Sequence, residues 1–324
     1  MKWENNRQSD NIEDRRDAPG GGGMLGGGGS RRGGGRGIGL GSIAIALVAG
    51  WVFGINPMTI LGFLGGAGDV MPEQTQSAPA TTAAAGAKPT DQMGQFVAAV
   101  LGGTEDAWGA VFQQGGSRYT PPTLVMFRGS TRTACGQGQA AMGPFYCPAD
   151  RKVYIDLGFY DTMKRQLGAP GDFAQAYVVA HEVGHHVQNL MGLTEKVDGM
   201  RGRVSEREQN ALSVRLELQA DCFAGIWAHH NQKSKAILEP GDVEEAMNAA
   251  SAIGDDALQR KSQGVVVPDS FTHGTSAQRP LVLQRPGDRQ CAGLRHVQCT
   301  QFVTVLGRLF EGVCTGPVGK IGLK

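Results

Sequence analysis

One stretch limits the possible folds more than any other. In "AYVVAHEVGHHVQNLMG", residues 176–192, His181, Glu182, His185 and His186 stand inside a run otherwise apolar enough to be a core helix. A buried polar group without a partner costs on the order of several kcal/mol, so whatever packs on this helix must partner those four side chains. His181 and His185 are four residues apart. On an α-helix that leaves them about 40° apart on one face, close enough for both imidazoles to reach one ion. Glu182 can approach a water on that ion without taking a coordination position, as a general base must. His186 points about 100° away from His185, which suits a supporting role. Asp172, after "APG", is the candidate cap and Gly192 the candidate stop, so a helix is expected near 172–190.

A catalytic zinc site usually takes three protein ligands and leaves a fourth position open, so a third must lie elsewhere. "LELQADCFAG" supplies it: Glu217 and Asp221 are again four apart, so Glu217 can ligate while Asp221 accepts the second ring N–H of a ligand histidine. Glu206, Glu208, His229 and His230 are rivals, but they fall in more polar surroundings or near a helix end. One zinc ion held by His181, His185 and Glu217, with Glu182 as base, implies hydrolysis of a peptide bond by a metal-activated water. The competing possibility is a non-catalytic, zinc-stabilised interaction or chaperone-like domain. Such a site needs no base and usually closes its fourth position with Cys or His, so Glu182 favours the peptidase.

The remaining chain divides by composition. Residues 1–37 combine charge with glycine runs and read as a disordered cytoplasmic tail. Residues 38–63 carry no charge, long enough for a single transmembrane anchor. Arg31, Arg32 and Arg36 precede it, which keeps the amino terminus cytoplasmic and places the rest in the periplasm or at the cell surface. Residues 64–90, rich in Ala, Pro and Thr, read as a linker, and a folded domain spans 91–279.

Within that domain a helical region over 91–114 is expected to break at Gly102 and Gly103, and "TLVMF" (123–127) and "KVYIDL" (152–157) are strand candidates. Helices are expected near 158–167, 205–229 and 242–261, the last capped by Asp242. Cys135 and Cys147 bracket a short loop between the strands, a natural disulfide in an oxidising compartment. A formal net charge of +1 and the lack of a basic stripe leave no case for a nucleic-acid partner; the expected partners are a protein or peptide substrate and the membrane.

The quoted segments, together with "MKWENNRQSDNIEDRRD", "CGQGQAAMGPFYCPAD", "AASAIGDDALQ" and "FTHGTSAQR", resemble the bacterial neutral zinc metallopeptidases over nearly all of residues 1–279. The resemblance implies a mainly helical α+β, zincin-like domain with a small β-sheet, preceded by a single transmembrane helix, and His181, His185 and Glu217 as ligands. The carboxylate spacing is also similar to that of the membrane proteases related to HtpX and the prenyl-protein proteases, in which a later histidine assists the transition state; His273 in "FTHGTSAQR" is the counterpart. By analogy with zincins, "KVYIDL" is the edge strand along which substrate lies.

After Arg279 the resemblance stops, and a one-base shift near codon 280 permits the family's "CDTF" ending, so 280–324 reads as a frameshift product. Cys291, Cys299 and Cys314 are then accidental, and the disulfide that the resemblance implies between Cys222 and "CDTF" would be missing.

Overall fold

The computed structural model describes residues 1–17, 88–139 and 143–280. The expected anchor at 38–63, most of the linker and the tail from 281 onward lie outside the described residues.

The two apolar runs become neighbouring parallel strands. β2 (Thr123–Phe127) pairs in register with β6 (Lys152–Asp156), Leu124 opposite Val153 and Met126 opposite Ile155. Four of the five residues of each are buried, the continuous apolar run of strands covered on both faces. The four-stranded sheet has the order β1 (Ile12–Asp14), β2, β6, β5, with β5 (Phe145–Cys147) antiparallel to β6 at one edge. This corrects the expected edge strand: "KVYIDL" is internal, because a short strand invisible to periodicity covers its free side. A separate hairpin, β3 (Ser130–Thr133) and β4 (Gly136–Gln139), is tied to β5 by the expected disulfide, Cys135–Cys147.

The other edge strand comes from the amino-terminal segment. β1 (Ile12–Asp14) pairs with β2 in parallel, and Met1, Trp3 and Ile12 join the core, Trp3 edge-on against Phe96 at 5.5 Å. Residues 1–17 are therefore part of the body and not of a disordered tail. Several of their charges are paired: Arg7 reaches Glu105 and Asp106, and Arg16 bridges Asp14 and Asp91. The Arg16–Asp91 contact of 2.6 Å brings together the two points where the chain leaves and re-enters the body.

α1 (Gln92–Gln114) starts at Asp91, whose carboxylate accepts the Gly94 N–H, and runs unbroken through Gly102 and Gly103. Those glycines allow close approach. A Cβ at Gly102 would lie 2.4 Å from the Arg7 carbonyl oxygen, and one at Gly103 would lie 3.0 Å from Asn231 Oδ1. Short α2 (Gly158–Thr162) continues into a π-helical turn, Met163–Leu167, covering the expected 158–167.

α3 (Asp172–Leu190) carries the opening motif with the expected bounds and is buried nearly all round, as a central helix must be. Asp172 does not cap it. Gly171 holds that position, and Asp172 is the first helical residue, its carboxylate 2.8 Å from the Met1 ammonium. Gly192, at φ 70°, takes the left-handed conformation that ends the helix before α4 (Leu193–Asp198).

α5 (Glu206–Lys235) opens with a Ser205/Glu208 capping box and is buried in its second half, from Ala220 to Trp227. It outruns the expected 205–229. The region 242–261 divides at Gly254 into α6 (Asp242–Ala252) and α7 (Asp255–Gln263). Gly241, not Asp242, precedes α6 as its cap; the Asp242 carboxylate instead accepts the Glu239 N–H. A 3-10 turn, Pro268–Ser270, leads to the final described segment.

Candidate metal centre

α3 and α5 cross at Gly184, whose missing side chain lets the Ala220 backbone come close: a Cβ there would sit 3.1 Å from Ala220 Cα and O. This contact sets Glu217, one turn before Ala220, against the two histidines. His181 Nε2 lies 3.2 Å from His185 Nε2 and 3.2 Å from Glu217 Oε2, and His185 Nε2 lies 3.4 Å from Glu217 Oε1. Donors about 2.0–2.1 Å from one tetrahedral ion lie about 3.3–3.4 Å from each other, so this triangle has the size zinc requires.

The ring protons agree. His181 Nδ1 is 2.8 Å from Asp221 Oδ1 and His185 Nδ1 is 3.0 Å from Gln188 Oε1. With each Nδ1–H donating to its oxygen, each Nε2 is left to turn its lone pair toward the other across 3.2 Å, the tautomer that binding a cation requires. Gln188 was not foreseen, although its spacing of three from His185 marked it as a neighbour on the same face. The Gln188 amide is in turn fixed by donating to the Leu216 carbonyl oxygen at 2.6 Å.

Glu182 is buried beside the triangle, and burial pushes its carboxyl above the ordinary range. Burial would also raise Glu217, but the neighbouring imidazoles of His185, His273 and His181 outweigh it and hold Glu217 well below that range. His186 turns away, as expected. Its Nε2–H donates to the Thr120 carbonyl oxygen at 2.7 Å, and its Nδ1 accepts from the Tyr146 hydroxyl at 3.0 Å. Burial lowers it to about 4, so it stays neutral and ties the edge strand β5 to α3.

His181, Glu182, His185, Gln188 and Glu217 line a cleft of about 510 Å³ whose walls include Phe145, Tyr146, Phe159, Val178, Ile253 and Leu258. His273 lines it too, with Nδ1 3.1 Å from Asp255 Oδ1. Asp255, which sequence reasoning passed over, also accepts the backbone N–H groups of Thr272, His273 and Gly274 on Oδ2. The rivals for third ligand fall elsewhere. Glu208 belongs to the capping box, and none of Glu206, Glu208, His229 and His230 lines the cleft. A second acidic group, Asp172, Asp242 and Glu245, lies outside the cleft, and the Met1 ammonium already pairs with its two aspartates.

Comparison with known proteins agrees with this chemistry. The family model described as "Putative neutral zinc metallopeptidase" matches residues 1–291. The "Uncharacterized protein YpfJ" of Escherichia coli K12 is 53% identical over 279 residues, 86% of this chain and 92% of its own. The "Uncharacterized protein Rv2575" of Mycobacterium tuberculosis is 43% identical over 173 residues, 50% of this chain and 57% of its own. No solved structure matches. With nine-tenths of the chain matched to the family model, metal-site helices included, the chain belongs to the neutral zinc metallopeptidase family.

Proposed function

We propose that this protein is a membrane-attached zinc metalloendopeptidase. The observation that carries the reading is the convergence of His181 Nε2, His185 Nε2 and the Glu217 carboxylate, all within 4.8 Å of one another, with Glu182 beside them on an open, largely apolar cleft. Zinc bound there supplies Lewis acidity toward a water and a substrate carbonyl. Glu182 takes the proton from the attacking water and delivers it to the leaving amine; its raised pKa suits a group that must hold and release that proton. His273, steadied by Asp255, faces the same cleft and serves as hydrogen-bond donor to the developing oxyanion. Strand β5 offers an edge for an extended peptide, and Phe145 and Tyr146 on it line the cleft, in keeping with a zincin-like arrangement.

The test is release of peptides from unfolded casein by the purified protein and by Glu182→Gln. The variant should keep its zinc and lose activity by 10²-fold or more, about the lower end of what a general base contributes. Equal turnover in the two proteins would remove the catalytic assignment.

For location we propose an oxidising, extracytoplasmic compartment, consistent with the Cys135–Cys147 bond. Because residues 1–17 pair with β2, the proposed attachment has Arg16 and Asp91 on one side of the membrane.

A further inference from the structure

Arg279 is 2% exposed, and its guanidinium faces Asp221, Tyr177 and Glu217. Its Nε donates to Asp221 Oδ2 at 2.8 Å and its Nη2 to Asp221 Oδ1 at 2.9 Å, a two-point fork on a carboxylate that is itself wholly buried. The same Nη2 reaches the Tyr177 hydroxyl at 3.3 Å, and that hydroxyl donates to Asp221 Oδ1 at 2.5 Å. Glu217 Oε2 stands 4.0 Å from Nη2.

The consequence follows from geometry. Asp221 Oδ1 accepts from the His181 ring at 2.8 Å, so the plane of the Asp221 carboxylate sets the plane of that imidazole and the direction of its Nε2. A lone carboxylate on α5 could rotate about its terminal torsion. The planar guanidinium fork permits one orientation, and Tyr177, one turn before His181 on α3, closes it from the other side. Charge points the same way: Glu182, Glu217 and Asp221 crowd three carboxylates around the site, and Arg279 is the cation that touches one and approaches another.

We propose that Arg279 is a positioning residue of the metal site, acting through Asp221 to hold the His181 imidazole in its ligand orientation. The inference rests on the reading of His181, His185 and Glu217 as a zinc site.

The experiment is zinc affinity by chelator competition on the full chain, with no substrate present. Arg279→Gln and Asp221→Asn should each bind zinc about 10–100-fold more weakly than the unaltered protein. The double variant should be no more than about 3-fold weaker than Asp221→Asn alone, because both substitutions break one chain of contacts. Arg279→Lys, which keeps the charge but not the fork, should fall between. A folded Arg279→Gln with unchanged affinity overturns the proposal, and so does a double variant whose losses multiply. If Arg279→Gln does not fold, Arg279→Lys carries the decision: wild-type affinity in it overturns the proposal. An unaltered protein that binds no zinc would instead sink the metal site itself, a separate outcome.

Discussion

Gly184→Ala probes the contact that assembles the site. In the middle of α3 the exchange should help by about 1 kcal/mol, the usual advantage of alanine over glycine inside a helix. Against it, the new methyl would sit 3.1 Å from Ala220 Cα and O and 3.3 Å from its Cβ. Two of these are backbone atoms of α5, so relief requires the helices to separate by a few tenths of an ångström. Overpacking of a filled core costs about 1–3 kcal/mol. The expected sum is a net loss of about 1 kcal/mol, which lowers the melting temperature of a domain this size by about 2–4 °C. Gly184→Val adds two further methyl groups and gives back the helix advantage, and it should lose at least twice as much. Both should weaken zinc binding, since Glu217 lies on the displaced helix. The assays are thermal denaturation in excess chelator, which isolates the packing, and chelator competition for the metal. A rise in melting temperature for Gly184→Ala with unchanged zinc affinity would refute the reasoning, because helix propensity would then have decided the outcome alone.

Three further outcomes are expected. Ile12→Ala, in β1 at 2% exposure, should cost about 2–5 kcal/mol in urea unfolding if residues 1–17 belong to the body; an unaltered midpoint would return them to the status of a tail. Replacing Cys135 and Cys147 by alanine reopens a 12-residue separation and should cost about 2–3 kcal/mol while zinc binding persists; a loss of zinc would show that β5 and the disulfide hold the metal site directly. With Cys291, Cys299 and Cys314 replaced by serine, a cysteine at Asp10 and one at Arg165, both exposed positions, should react with a membrane-impermeant thiol reagent from the same side of intact cells; labelling from opposite sides would restore a single crossing.

Much of the site was legible in the chain because helical spacing is short-range. His181, Glu182 and His185 lie within one turn, Glu217 and Asp221 within another, and α-helical geometry alone says which side chains share a face. The apolar runs of β2 and β6 and the bounds of α3 followed for the same reason: burial on all sides leaves a continuous pattern. The amino-terminal strand was illegible. Its buried residues, Met1, Trp3 and Ile12, are scattered among charges, and those charges look solvated until Glu105, Asp106 and Asp91 are brought beside them. The edge position of β5 was hidden as well, since three residues are too few for an alternation to register.

Sequence by itself pointed to the side chains that could hold a metal, because residue type and spacing along a helix are local properties. Tertiary structure alone decided how those atoms are aimed. Arg279 reaches Asp221 across 58 positions and Asp255 gathers the His273 loop across 18. Gly184 and Ala220 let two helices touch where the ligands meet. No local pattern encodes such contacts; they exist only when separate elements close around one buried carboxylate or one missing side chain.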